Sequence, residues 1–95
     1  MTSTLEIKGD FDAARVAAMR ASLDQMADED TDLVLDLSEC RFIDSSGVGA
    51  IVFLYKRKRA RGYRVTAQGL DGHPLRLLRH LGIAGLLAGA NRKAA

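Results

Sequence analysis

The sequence predicts a small α/β domain, with a mostly parallel β-sheet and helices packed against it. Apolar residues recur with a period of two in some stretches and of about 3.6 in others, and the two kinds of stretch alternate along the chain. Strands joined through helices imply right-handed crossovers and therefore parallel neighbours. In addition, Leu33-Val34-Leu35-Asp36-Leu37 is apolar on both faces, as a strand central in the sheet has to be.

Each element has its own justification. Thr4-Leu5-Glu6-Ile7-Lys8 alternates apolar and polar, which fits a strand with one solvated face. Gly9-Asp10-Phe11-Asp12 reads as a turn, and Asp10 or Asp12 can cap the helix that follows. Val16, Met19, Leu23, Met26 and Ala27 share one face and place a first helix over 13–27. Asp28-Glu29-Asp30 reads as a solvated loop, since nothing nearby completes a set of metal ligands. After strand 33–37, the short apolar run Phe42-Ile43 leads into a second helix that begins near Ser46 and ends near Arg61.

On the wheel of that second helix, at ~100° per residue, Val48, Ile51, Val52 and Tyr55 form the expected core face. Ala50, Phe53, Leu54 and Arg57 fall mostly opposite. Either flanking helices bury this second group or it is a surface for a partner. Lys56-Arg57-Lys58-Arg59 and Arg61 crowd the last turns, where the helix dipole favours cations, and read as a solvated helix end closed by Gly62. Residues 63–68 alternate as a third strand. Pro74 suits the first position of a third helix with Leu77, Leu78 and Leu81 on its apolar face. Ile83, Leu86 and Leu87 are expected to close the core, and 88–95 to fray.

Ninety-five residues with a net charge of +2 make one domain, residues 1–95, with its core at about 4–87. No apolar run approaches the ~20 residues that cross a bilayer, so membrane insertion is not expected. Met1-Thr2-Ser3-Thr4 leads straight into a charged strand without a leader pattern, and the expected location is the cytoplasm. Cys40 is the sole cysteine, which excludes an internal disulfide and a cysteine zinc cluster. His73 and His80 share no ligand spacing with each other or with Cys40; a capping or solvent-facing role is expected for both. No cofactor or metal is implied. The basic run lacks a helix-turn-helix context and interleaved aromatics, so nucleic acid is not an expected partner.

The densest signal is Asp44-Ser45-Ser46-Gly47-Val48-Gly49. Asp and Ser before an apolar-periodic segment are N-cap residues, because their oxygens accept from first-turn amides. Gly47 and Gly49 then fall in the first turn, where each costs roughly 0.5–1 kcal/mol relative to Ala. Helix propensity does not explain them. They leave backbone and hydroxyls uncovered, so that another surface or a phosphate can come close. Gly47-Val48-Gly49 lacks the third glycine of a dinucleotide fingerprint, and Ser45 lacks the glycine pattern of a nucleophile elbow. With no carboxylate pair standing out, catalysis is not expected.

Leu33-Val34-Leu35-Asp36-Leu37-Ser38, a turn, and then Phe42-Ile43-Asp44-Ser45-Ser46-Gly47-Val48-Gly49 resemble the STAS family over roughly residues 4–87. That family includes bacterial anti-sigma factor antagonists and domains of sulfate transporters. In the antagonists the motif reads Asp-Ser-(Ser/Thr)-Gly-(Leu/Val)-Gly, and a partner kinase phosphorylates its first serine, which corresponds to Ser45 here. The resemblance implies a non-catalytic module that binds an anti-sigma factor serine kinase when unphosphorylated and so frees a sigma factor. A phosphatase belongs to the same implied set. Asp44, Ser46, Gly47 and Gly49 would shape the approach to Ser45, and Ala50, Phe53, Leu54 and Arg57 would supply partner contacts. Relatives commonly carry Asp or Asn at the position of Asp36, near the phosphorylated serine; for Asp36 itself a purely structural role stands beside that of site support. A phosphate on Ser45 is expected to be tolerated beside the helix amides, so that Ser45→Asp and Ser45→Ala fold alike.

The alternative from the same family is a STAS subunit of an inner-membrane lipid-transport ATPase complex, docking through this loop without phosphorylation. It is favoured by the chain starting at what corresponds to the antagonists' second strand and stopping after the third helix.

Overall fold

The structure, a computed structural model, describes residues 1–87, so the expected fraying of 88–95 lies outside the described residues. Two segments, 2–11 and 32–43, run side by side in parallel and form its spine. The first contains β1 (Thr2–Glu6) and β2 (Gly9–Phe11); the second contains β3 (Asp32–Asp36) and β4 (Cys40–Ile43). β1 pairs with β3 from Thr2↔Asp32 to Glu6↔Asp36, and β2 pairs with β4 up to Phe11↔Ile43 after a shift at Gly9/Asp10. β5 (Val65–Gln68) adds to the other side of β3, again parallel. The sheet order is therefore β1-β3-β5, with β2-β4 as a separate two-stranded extension.

Gly9–Phe11, expected as a turn, is thus a strand, and so is the segment around Phe42-Ile43. Runs of three and four residues carry too little periodicity to announce themselves; pairing with each other makes them strands. The first helix is broken in two, α1 (Ala13–Ala18) and α2 (Arg20–Asp28), at Met19 with φ −101° and ψ 6°. α3 spans Ser45–Ala60, α4 spans Gly72–His80, and a short 3₁₀ turn covers Ala84–Leu87. Asp71 caps α4, which puts Pro74 in the third position of that helix rather than the first. Leu78 and Leu87 are fully buried, whereas Leu81 and Leu86 stay about half exposed and do not close the core.

The largest correction concerns α3. Its buried residues are Gly47, Ala50, Ile51, Leu54 and Lys58, so the core stripe is rotated by roughly one residue, ~100°, from the predicted face. Leu54 is 1 % exposed and Ala50 7 %, and both belong to the core; Val48, Val52 and Tyr55 are half-buried. Lys58 explains the error. Its ammonium is fully buried, donating to the Glu29 carbonyl (2.8 Å) and the Thr31 hydroxyl (3.2 Å) and lying 5.7 Å from the centre of the Tyr63 ring. Burial pushes its pKa down, with Glu29 acting in the opposite sense. Arg57 pairs with Asp28 and Arg61 with Asp30, so the basic run, solvated as expected except at Lys58, is also the counterpart of the acidic run 28–30.

Leu54→Ala is expected to cost about 2–5 kcal/mol, as for other buried leucines, and Val52→Ala clearly less. Urea unfolding of both variants checks the rotation of α3; equal losses would contradict it.

Candidate functional site

Because Phe11 and Ile43 are in register, β2 and β4 end side by side. Each is followed by an aspartate and then a helix, so the starts of α1 and α3 are neighbours. Asp12 caps α1, accepting from the Arg15 amide at 3.0 Å. Asp44 is the N-cap of α3 and also reaches the other helix. Its Oδ1 accepts from the amides of Ser46 (2.8 Å) and Gly47 (3.0 Å), and its Oδ2 from the amide of Ala13 (3.1 Å). Hydrogen bonds from the Gly47, Ala13 and Ser46 amides favour the ionised form and lower the Asp44 pKa against the opposing desolvation. One carboxylate thus closes two helices.

Ser45 is the first residue of α3, exposed, and contributes none of the capping bonds. Its hydroxyl is left for other chemistry. Ser46 is half-buried and faces the first helical pair. Gly47 is buried, and a Cβ there would collide with the Phe11 carbonyl oxygen and press on the Ile43 side chain. Its bareness serves contact within the chain, between α3 and the end of β2, and not the approach of a partner. Gly49 is the opposite case: exposed, with nothing within 4 Å of an added Cβ.

Between the α1–α2 pair and α3 lies a groove of about 310 Å³. Ala13, Ala17 and Arg20 line one wall, and Ser46, Gly49, Ala50 and Phe53 the other. Four of the sequence-predicted contact residues therefore do meet in one depression, with Ala50 at its base. Leu54 is not available there, being core. Arg57 stands over the Phe53 ring at 5.5 Å and is engaged with Asp28. The α1 wall was missed in the sequence; its signal was the small pair Ala13 and Ala17, one helical turn apart. A wider, more open depression of about 770 Å³, with Lys8, Arg15, Glu39 and Arg41 in its lining, contains no residue of the 44–49 motif.

Asp36 has a structural task. Its Oδ1 accepts from the Ser38 amide at 3.1 Å and from the Ser38 hydroxyl, bonds that lower its pKa, and it forms the turn after β3. None of these bonds involves residues 44–49. His73, expected as a cap or in solvent, stacks on the partly exposed Phe42 with ring centres 5.0 Å apart and accepts from the Ile43 amide at 3.4 Å. Among the described residues no group of three or more His, Cys, Asp or Glu could hold a metal ion, and no helix is long and apolar enough to cross a membrane.

The two glycines should therefore respond oppositely. Gly47→Ala is expected to destabilise by about 1–3 kcal/mol, as overpacking does. Gly49→Ala should be neutral or stabilise by up to roughly 1 kcal/mol, the helix-propensity gain; thermal unfolding of the pair checks both. A further outcome concerns acid. Asp44 has a depressed pKa in the folded state, so its stabilisation is fully present above the ordinary value of 3.8 and is lost as pH falls through the folded value. Asp44→Asn should lower stability at neutral pH and flatten the acid limb of the stability–pH curve, measured by urea midpoints; an unchanged limb would contradict the clamp.

The sequence model of the family described as "Mlab, STAS domain" matches residues 1–88. No curated protein matches the chain at a significant level. Among solved structures, a sulfate transporter family protein from Wolinella succinogenes aligns with a TM-score of 0.74 and 22 % identity, over 90 % of this chain and 70 % of that one. The anti-sigma factor antagonist SpoIIAA in its unphosphorylated form aligns with a TM-score of 0.67 and 23 % identity, over 84 % of this chain and 71 % of that one. At these identities the two structures speak for the fold. The match along nearly the whole sequence, on a parallel α/β framework carrying the Asp-Ser-Ser-Gly helix start, makes the chain a member of the STAS domain family.

Proposed function

We propose that this chain is a non-catalytic, cytoplasmic binding module of the anti-sigma factor antagonist type, switched by phosphorylation of Ser45. Unphosphorylated, it binds an anti-sigma factor serine kinase through the start of α3 and the adjoining groove. The kinase transfers the γ-phosphoryl group of ATP to Ser45 Oγ, with loss of the hydroxyl proton and release of ADP, and a phosphatase restores the serine. The observation that carries this reading is the division of labour at the helix start. Asp44 does all the capping, so Ser45 is exposed and free of a structural task. Gly49 keeps the surface next to it low, and Ser46, Ala50 and Phe53 continue it into the groove.

A second reading, a STAS subunit docking on a lipid-transport ATPase complex without phosphorylation, is favoured by the matching family being described through Mlab and not through sigma-factor antagonism. The two differ in whether the serine is modified at all.

Incubation with ATP and a cognate serine kinase of the histidine-kinase-like ATPase type should phosphorylate Ser45, as mapped by mass spectrometry. Phosphate confined to another residue would overturn the assignment. Calorimetric titration against that kinase should give Ser45→Ala an affinity near wild type and Ser45→Asp a weaker one, because an anion buried at an interface without a cationic partner is costly. Phe53→Ala should weaken binding roughly tenfold or more if it is an anchor. Equal affinity of wild type, Ser45→Asp and Ser45→Ala would reduce Ser45 to a surface residue.

A further inference from the structure

The amides that a phosphate at the start of α3 would use are already occupied. Ser46 and Gly47 donate to Asp44 Oδ1, and the other carboxylate oxygen holds Ala13 at the start of α1. Residues 44 and 45 are consecutive, with Cα atoms ~3.8 Å apart, so a charged group on Ser45 lies within about one Debye length of the Asp44 carboxylate in any rotamer. It can go two ways. It can compete with Asp44 for the Ser46 and Gly47 amides, or it can remain outside them and repel the carboxylate.

The first route takes the Ser46 and Gly47 amides from the carboxylate that also holds Ala13, and the second weakens all three hydrogen bonds, one of which links α1 and α3. We infer that negative charge on Ser45 acts inward as well as outward: it loosens the Asp44 clamp, and with it the junction of α1 and α3 that forms the groove. Asp44 is then a positioning residue of the switch. The inference rests on the proposed modification of Ser45 and replaces the expectation that Ser45→Asp and Ser45→Ala fold alike. It adds a structural change to the surface charge: the two walls of the groove meet where Ala13 is bonded to Asp44, so a weakened clamp alters their spacing.

The test needs only the protein itself: wild type, Ser45→Asp, Asp44→Asn and the double variant, together with protein carrying phosphoserine at 45 introduced during translation. Ser45→Asp should raise the unfolding constant by roughly two- to tenfold when Asp44 is present, the lower part of the range of coupling between neighbouring groups. Phosphoserine, with its larger charge, should do so more strongly. In the Asp44→Asn background the same charge should have no effect or a stabilising one, since only the helix dipole remains to act on it. Amide exchange at Ala13, Ser46 and Gly47, followed by NMR, should accelerate on phosphorylation of the otherwise wild-type protein. Equal effects of Ser45→Asp in both backgrounds, or unaccelerated exchange at Ala13, would overturn the inference. If Asp44→Asn does not fold, salt takes its place: the Ser45→Asp penalty should shrink in ~1 M salt, where the Debye length is about 3 Å, and a penalty indifferent to salt counts against the inference. These outcomes are independent of the partner. A kinase that fails to bind leaves the coupling measurable, and zero coupling leaves a switch by surface charge alone intact.

Discussion

Three hydrogen bonds to the Asp44 carboxylate tie the ends of two parallel strands to the starts of two helices. The arrangement depends on register. With Phe11 opposite Ile43, the chain leaves both strands at the same height, and a single short side chain can reach amides on both helices. Glycine at 47 is part of the same geometry, since it lets the first turn of α3 rest on the Phe11 carbonyl. A one-residue slip between β2 and β4 would move Asp44 away from Ala13 and bring a side chain into that contact. The exposed position of Ser45 follows from this construction and not from anything the serine does for the fold.

A second polar arrangement secures the other end of α3. The end of α2 and the residues after it carry Asp28, Glu29 and Asp30, and the end of α3 carries Arg57, Lys58 and, just past it, Arg61. The two surface pairs, Arg57–Asp28 and Arg61–Asp30, are exposed and each is worth at most about 1 kcal/mol. Lys58 is different. Its buried ammonium is bonded to a backbone carbonyl and a threonine hydroxyl, and Ser3 donates to the same Thr31 hydroxyl at 3.1 Å, so β1, β3's approach and α3 share one half-buried polar cluster. α3 is held at its start by a carboxylate and at its end by an ammonium.

How much of this could be read from the sequence varies with the length of the element. The long periodic stretches, β1, β3, the split first helix, α3 and β5, are legible because hydrophobic period reports burial directly. β2 and β4 are not, because runs of three and four residues show no period of their own, whereas the alternation leading into β5 extends over 63–68. The wheel of α3 failed for a specific reason: a lysine in a run of basic residues counts as solvated, and only the fold reveals a carbonyl waiting for Lys58. Of the two alternatives the wheel leaves for Ala50 and Leu54, burial by neighbouring elements or a partner surface, both residues take burial. The motif itself was readable as a helix start, but whether Asp44 or Ser45 was the cap was open, since both side chains can play that part. The α1 wall of the groove shows in the sequence only as the small pair Ala13 and Ala17; that this pair faces α3 follows from the register of β2 against β4.

The unequal lengths of the two sheets have one more effect. β5 lies against β3, while β4 continues past it. An outer edge of that kind, with unpaired amides, is an invitation for another strand to add. Here the start of α4 covers it: His73 accepts from the Ile43 amide, and its ring lies flat on Phe42. A second molecule cannot lengthen the sheet at β4 without first displacing α4.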